Sequence, residues 1–443
     1  MAVIAIPISL QSMITIGVNM TDTVMVGKLG ETSLSATALA NQFVNIYQIC
    51  CMGIAMGASV LTSRFWGMQD ITSLKKTITL MLRLCIVLAV LFMLPTILIP
   101  QLLMRMYTND SAVIAQGVQY FKWMVYCYFL QGMTMTCTIV LRSVGQVNFP
   151  LFTSIGSFFV NILFNYMFIF GKLGVPRMEV EGAGVGTLIA RVFEFSLICG
   201  YFLFVDRKIG YRLKDLRMKC NSLIKDYVSI SIPVFVSDSL LALGTSAVAM
   251  VMGRIGTGFV SANSITVVTQ QLTTVIIQGI CHASCIMTGH TLGHGEREKA
   301  QQQAWTFLIL GLVVGILGGG LIKVLSRPII GLYNITPETA QIAGELMDAI
   351  AFIVIFQSMN SILTKGVLRG GGDTKFLMVA DIIFLWAASL PLGILAGLVW
   401  HLDAFWIYVF LKIDQICKSI WCVFRLRSGK WIKTFSKEKM NHA

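Results

Sequence analysis

The chain carries nearly the same sequence twice. Pro7, Val26-Gly27-Lys28-Leu29-Gly30, Ser35-Ala36, Gly53, Gly67, Tyr107 and Gln131 each have a counterpart 226 residues later. The counterparts are Pro233, Met252-Gly253-Arg254-Ile255-Gly256, Ser261-Ala262, Gly279, Gly293, Tyr333 and Gln357. After a one-residue slip, Leu141-Arg142, Gly145 and Phe149 answer to Leu368-Arg369, Gly372 and Phe376. A unit this long is no solenoid repeat; it is half of a protein. In an apolar chain, two matched halves point to a transporter, because a site between repeats opens to either side when one rocks against the other.

The apolar content fixes the solvent. Of 443 residues, 56% are hydrophobic and 12% are charged, with a mean hydropathy of +0.77. A soluble domain carries about a quarter charged residues, so a lipid bilayer is the expected surroundings. The formal net charge is +13, but the basic residues sit in short breaks between apolar runs. They form no continuous basic face, which argues against nucleic-acid binding. Of the 11 cysteines most lie inside apolar runs, where free thiols act as small hydrophobes. Cys281-His282-x-x-Cys285 is half a metal site with no second ligand pair. Met1 leads straight into an apolar run with no basic segment before it, so no signal peptide is read. The second half has Lys225-Asp226-Tyr227 before its first helix and the first half has no counterpart, so the first helix is expected to lack its opening turn.

The pattern predicts an all-α polytopic membrane protein with twelve transmembrane helices in two six-helix bundles. The first six run over 2–26, 34–66, 76–104, 112–142, 148–171 and 182–206. The second six run over 225–252, 260–292, 300–326, 337–368, 374–400 and 403–426. Residues 1–206 are read as the N-terminal lobe, 207–222 as a cytoplasmic linker, and 223–443 as the C-terminal lobe with a basic tail. Loops after even-numbered helices, together with the tail, hold 22 Lys and Arg against 7 on the opposite side. Cytoplasmic loops are Lys/Arg-rich, so both termini and the linker are expected on the cytoplasmic side of the plasma membrane. An even helix count per half makes the repeats parallel, related by a pseudo-twofold axis along the membrane normal. Gly53/Gly57, Gly182/Gly186, Gly311/Gly315 and Gly393/Gly397 are read as helix-packing pairs, and Pro7 and Pro233 as bends shared by the two first helices.

No Walker loop, H-E-x-x-H motif or dinucleotide fingerprint is present: Gly182-x-Gly184-x-Gly186 has the wrong spacing and no preceding strand. No cofactor and no enzymatic activity are expected. Uphill transport then needs an ion gradient and an ionisable group at membrane depth, where charge is costly. Asp22 in the first helix is that group, and its repeat counterpart is Val248. Asn161 and Asn165 share one face of the fifth helix, their counterparts Ala388 and Leu392 are apolar, and Thr187 lies on the sixth. A carboxylate with amide and hydroxyl oxygens suits a proton or a sodium ion held at Asp22. Asp238, Asp381, Glu345 and Asp348 form a second acidic set with faces available to a cavity in the second half. Arg191 and Glu194, three apart, pair with each other. Gln131 and Gln357 are repeat-matched and line a cavity or bond between helices.

Asp22-Thr23-Val24-Met25-Val26-Gly27-x-x-Gly30 after Pro7, Asn161-Ile162-Leu163-Phe164-Asn165, the glycine-rich start of the sixth helix with Thr187, and Leu368-Arg369-Gly370-Gly371-Gly372-Asp373 together resemble the multidrug and toxic compound extrusion (MATE) family. The likeness runs from the first helix to the twelfth. It implies two six-helix bundles forming a V-shaped cavity and export of cationic or amphipathic organic compounds in exchange for Na⁺ or H⁺. It also implies that Asp22 matches the family's acid on the first helix, and Asn161 and Thr187 its polar cluster. Asn165 stands where some branches have an aspartate. The acids other branches carry on the seventh and tenth helices fall near Leu241 and Gln357-Ser358, which leaves Asp238 as a substitute. The expected partners are small organic cations or amphipathic drugs and the bilayer, and the chain is expected to act as a monomer. The rival reading is a flippase for lipid-linked sugars. Such a protein needs a basic central cavity, whereas only Arg83, Arg191 and Lys412 stand out as mid-membrane cations. A membrane enzyme or receptor would not need two matched halves and would need a reactive constellation, which the sequence does not offer.

Overall fold

The computed structural model describes residues 1–172, 174–331 and 335–434, apart from the side chains of residues 257, 268 and 272. Tyr333 of the repeat and Lys437 and Lys439 of the basic tail lie outside the described residues. The first half runs α1 (Ala2–Gly27), α2 (Glu31–Gly67), α3 (Ile71–Leu98), α4 (Pro100–Arg105), α5 (Ser111–Ser143), α6 (Asn148–Phe170) and α7 (Glu179–Gly200), which ends in a π-helical turn, Tyr201–Val205. The second half runs α8 (Asn221–Ile255), α9 (Thr257–Gly293), α10 (Arg297–Ile330) and α11 (Pro337–Ser361), which continues as π-helix over Ile362–Leu368. Then follow α12 (Thr374–Asp381), α13 (Leu390–Ile394), α14 (Ala404–Leu411) and α15 (Ile413–Arg427), with π-helical stretches Ile382–Ser389 and Leu395–Val399 on either side of α13. Eleven segments among the described residues are long and apolar enough to cross a membrane. The twelfth is α14 with α15, each piece too short to span alone. The chain is thus an all-α polytopic membrane protein.

Two helices read as continuous are broken. The segment 76–104 divides into α3 and α4 at Ile99, where φ is −137° and ψ is 45°. The ring of Pro100 clashes with a preceding residue in helical conformation, which forces the break. The segment 403–426 divides at Lys412, with φ −122° and ψ 15°. The pair Pro7 and Pro233 sit inside the uninterrupted helices α1 and α8.

The duplication is visible in the backbone. α2 and α9, α3 and α10, and α5 and α11 begin at residues exactly one repeat apart. Gln69 and its counterpart Gly295 both take left-handed conformations, φ 59° and 80°, before the next helix. Gly145 and its counterpart Gly372 do the same at φ 80° and 85°. These are helix C-terminal turns in which a positive φ satisfies the last carbonyls.

The chain divides into two compact units, Leu10–Ser231 and Met1–Ser9 with Ile232–Ala443. In the first, an aromatic cluster fills the core: Tyr47 and Tyr128 meet edge-on at 4.9 Å between ring centroids, with Phe43 and Phe92 against them. In the second, the core gathers Ala5, Ile277, Ile350 and Ile353. Small residues set the spacing of α10 on α11. A Cβ on Gly315 would fall 2.8 Å from the Ile355 Cα, and one on Gly319 2.5 Å from the Ala351 oxygen. Outward faces are apolar: Leu91 and Leu98 of α3, and Leu317 and Val324 of α10, are exposed, as helices bathed in lipid require.

The stretch 207–222 is no free tether. Leu213–Arg217 forms a 3₁₀ turn. Lys75 of α3 donates to the Gly210 carbonyl at 2.6 Å and pairs with Asp215 at 3.0 Å, and Arg83 donates to the carbonyls of Leu216 and Met218. Arg83 therefore serves the linker instead of a cavity. At the other end of the chain, the buried Trp431 donates to Gln301 at 2.8 Å, and Asp373 accepts Arg425 at 2.7 Å and Lys433 at 3.3 Å. Gly371 lies against Trp431, where a Cβ would fall 2.8 Å from its carbonyl oxygen.

Two outcomes follow from this packing. Gly315→Ala should cost about 1–3 kcal/mol through overpacking and lower the thermal midpoint in detergent. Gly320→Ala on the same helix, with nothing within 4 Å of its Cβ, should leave the midpoint unchanged or raise it; equal effects would refute the spacing role. For the linker, burial pushes the Asp215 carboxyl up, but the Lys75 hydrogen bond and the Arg212 amide outweigh it and hold it below the usual carboxylate range. A depressed native value stabilises docking above the unfolded pKa of about 3.9, and that stabilisation is lost as pH falls through the native value. Hydrogen exchange of residues 207–219, corrected for intrinsic rates, should therefore rise on acidification below pH ~4, and in Asp215→Asn at neutral pH. An unchanged exchange rate in the variant would show that the ion pair does not hold the linker.

Candidate ion-coupling site

In the unit Leu10–Ser231, α1, α2, α5, α6 and α7 surround a cavity of about 320 Å³. Asp22, Asn161, Thr187 and Gln131 all line it. Asn165 stands directly behind, fully buried, and donates its amide to the Asp22 carboxylate at 2.6 Å and to the Asn161 side-chain oxygen at 3.3 Å. The i, i+4 spacing on α6 delivers both amides to the same face. Asp22 itself is half-buried, so its carboxylate is held by an amide on one side and open to the cavity on the other. The side-chain oxygen of Asn165 is buried without a hydrogen-bond donor.

Glycine makes this arrangement possible. A Cβ on Gly186 of α7 would fall 2.9 Å from the Asn165 backbone nitrogen and run into its side-chain oxygen. A Cβ on Gly182 would fall 2.6 Å from the Phe168 carbonyl oxygen, while Gly184 faces α5 beside Trp123. The Gly182-x-Gly184-x-Gly186 run thus lets α7 approach two neighbours at once. Arg191 and Glu194 pair at 2.9 Å as read from their spacing, and both also line the cavity, which their sequence did not reveal. The lining carries two acids, Asp22 and Glu194, against one base, Arg191, a balance that favours a cation.

The second unit has a cavity of its own, about 200 Å³, between α8, α11, α12, α15 and the π-helical stretches Ile362–Leu368 and Ile382–Ser389. Gln357, the repeat counterpart of Gln131, lines it, as does Val248, the counterpart of Asp22. Asp381 lines it too, but it is taken up by Lys418 at 3.0 Å and by the hydroxyl of Ser237. Lys418 also pairs with Asp414 at 3.1 Å. Asp238 is locked to Arg369 at 2.9 Å and does not line the cavity. Glu345 and Asp348 are elsewhere: Glu345 accepts the first amide of α14 at 3.1 Å, and the exposed Asp348 pairs with Lys323 at 2.5 Å. These four acids of the second half are thus each matched by a cation or a helix end, unlike Asp22. The count of interior cations was too low: Lys365, Arg369 and Lys418 join Lys412 in this lining. The Asp414-x-x-x-Lys418 spacing inside an apolar segment was the signal for two of these side chains. Cys281 and Cys285 are buried, and among the described residues no three His, Cys, Asp or Glu gather as for a metal.

The MatE family model matches residues 7–167 and 233–416, one stretch in each half. The chain belongs to the MATE family. MATE-family members are membrane transporters, not enzymes. A probable multidrug resistance protein NorM from Thermotoga maritima is 24% identical over 97% of this chain and 92% of its own length. A Bacillus subtilis protein, described as the uncharacterized transporter YisQ, is 24% identical over 93% and 90%. The structure of a mutant of the Vibrio cholerae MATE transporter VcmN superposes with a TM-score of 0.87 at 16% identity, covering 96% of this chain and 95% of that one.

In this MATE-family chain the placement of Asn165 depends on the bare backbone at Gly186. Gly186→Ala should express and insert yet lose transport driven by an ion gradient, by displacing Asn165 from Asp22. Gly200→Ala on the same helix, with open space around it, is the control. Vesicle transport at wild-type rates in Gly186→Ala would show that the Asp22–Asn165 contact is dispensable.

Proposed function

We propose that this MATE-family protein is a secondary exporter of cationic or amphipathic organic compounds, driven by Na⁺ or H⁺ entering at Asp22. The observation that carries the reading is the pairing of Asp22 with Asn165 and Asn161 at a cavity wall. A carboxylate on a spanning helix with no cationic partner in direct contact is expensive unless an ion neutralises it in part of a cycle. Its absence from the duplicated half, where Val248 stands, argues for a role specific to one half. The oxygens of Asp22, Asn161 and Thr187 suit a hard cation such as Na⁺; a proton on Asp22 meets the same need. Similarity to proteins named NorM supports drugs as the cargo.

The mechanism is alternating access, with the two halves rocking in turn. The ion arriving from outside neutralises Asp22, changes how α1 is held, and lowers the affinity of the lobe for the exported compound. The compound then leaves outward, and the ion is released inside. The excess of Lys and Arg in the even-numbered loops supports cytoplasmic termini in the cell membrane.

Purified protein in vesicles with an imposed Na⁺ or pH gradient tests this directly. Efflux of a fluorescent organic cation should follow one of the two gradients and stop when it is collapsed. Asp22→Asn should fold and insert but reduce driven efflux to the level of empty vesicles. Driven efflux that survives in this variant would remove Asp22 from the coupling step, and efflux indifferent to both gradients would overturn the antiport reading.

A further inference from the structure

We infer that the cavity of the second unit is a binding site for an oxyanion, the carboxylate or phosphate group of a transported organic acid. Its lining holds four cations, Lys365, Arg369, Lys412 and Lys418, against two acids, Asp381 and Asp414. This polarity is opposite to that of the Asp22 cavity. Lys418 contacts both acids, at 3.0 and 3.1 Å; that group of three keeps one negative charge, and the lining as a whole stays positive by two. The remaining acid nearby, Asp238, accepts two guanidinium nitrogens of Arg369 at 2.9 and 3.4 Å. That leaves the ammonium groups of Lys365 and Lys412 without an acid at ion-pair distance among the described residues.

A third donor points the same way. The Nε of Arg369, in a side chain 5% exposed, has no hydrogen-bond acceptor. A buried charged donor left unmatched costs more than a neutral one. Two unpaired ammonium groups and one orphaned guanidinium N–H around a cavity of about 200 Å³ are what a small oxyanion satisfies, by charge-assisted hydrogen bonds. The backbone supports the same reading. Lys365 lies in the π-helical stretch Ile362–Leu368, and Lys412 at the break between α14 and α15. Departures from α-helix of this kind concentrate at functional sites, and lipid-facing charge is avoided within a span. The inference rests on the exporter reading only for the identity of the occupant as cargo; the site itself does not depend on Asp22.

The test is binding of radiolabelled benzoate to the purified full-length protein in detergent, with three competitors of similar shape. Benzoate and phenyl phosphate should compete, while neutral benzamide and cationic phenyltrimethylammonium should be weaker by roughly tenfold or more. This comparison needs no variant. Lys365→Met and Lys412→Met, checked for monodispersity, should each weaken benzoate to a similar degree, and Lys412→Arg should restore it. Equal affinity for benzoate and benzamide, or binding indifferent to both lysines, overturns the proposal. Displacement of benzoate by phosphatidylglycerol nanodiscs, but not by phosphatidylcholine nanodiscs, would assign the site to a lipid headgroup and overturn the cargo assignment. Asp22→Asn should bind benzoate as wild type does. Lysine-dependent binding alongside Asp22-independent efflux would leave this site standing while the coupling proposal fails.

Discussion

Ionisable groups inside a lipid-solvated bundle cannot be paid off by water. Each must find a counter-charge, a set of dipoles or a wet cavity. Sorting the interior charges by what neutralises them shows which are already matched and which are not. Arg191–Glu194, Arg369–Asp238 and the Asp381–Lys418–Asp414 group are matched by ion pairs between 2.9 and 3.1 Å. Breaking such buried pairs is strongly destabilising even where forming them gains little; Arg369–Asp238 and Lys418–Asp381 join different helices, while Arg191–Glu194 and Lys418–Asp414 lie within one. Among the described residues Asp22 is matched by amides alone, and Lys365 and Lys412 by no acid at ion-pair distance. The exceptions all border a cavity, where matched groups such as Arg191–Glu194 and Lys418–Asp381 stand beside them.

Duplication supplies the comparison that gives this sorting its weight. Both halves place an arginine at the end of the same helix and tie it to their own first helix. In the first half Arg142 donates to Gln11 at 2.5 Å, and in the second Arg369 pairs with Asp238. Position and task are shared, while the partner has changed from neutral amide to carboxylate. Gln131 and Gln357 likewise line their own half's cavity. Against these common devices, Asp22 facing Val248 and Asn165 facing Leu392 mark where the halves have parted. The cavity of the first half carries an acid where the second has Val248, and the cavity of the second half carries lysines. A scaffold requirement acting equally on both lobes would not yield opposite polarity.

The fold was legible because its signals are long. Eleven spanning helices announce themselves by apolar runs, and their starts recur one repeat later at Glu31/Thr257 and Ile71/Arg297. The breaks were not legible to the same degree. Pro100 could have flagged the end of α3, but nothing in the residues around Lys412 distinguishes a break from a continuous helix. For the site, the i, i+4 asparagines and the lone acid of α1 were readable as one face and one charge. Their meeting across the bundle at 2.6 Å was not, because a period says which face a residue occupies and nothing about what stands opposite. Of the second acidic set Asp381 does line a cavity, while Asp238, Glu345 and Asp348 do not, and the sequence could not separate them for the same reason. Asp238, Asp348 and Asp381 look alike as acids in apolar helices, and only the cations opposite them show that they are spoken for.

The glycines of α7 show how packing and chemistry become one constraint. Close helix approach in membranes needs small residues, and Gly182 and Gly186 meet that need against α6. At Gly186 the group brought close is the buried amide beside Asp22, whose own oxygen has no donor. The approach of α7 to α6 therefore bears on where the Asn165 amide stands, and that amide donates to Asp22 at 2.6 Å. A movement of α7 or of α1 changes how well the carboxylate is solvated by protein, and so changes its preference for an ion. Reciprocally, an ion that neutralises the carboxylate changes the free energy of every such movement by the same amount. That reciprocity is all a coupled transporter requires of its protein. It needs one charge whose cheapest partner differs between two arrangements of the same helices.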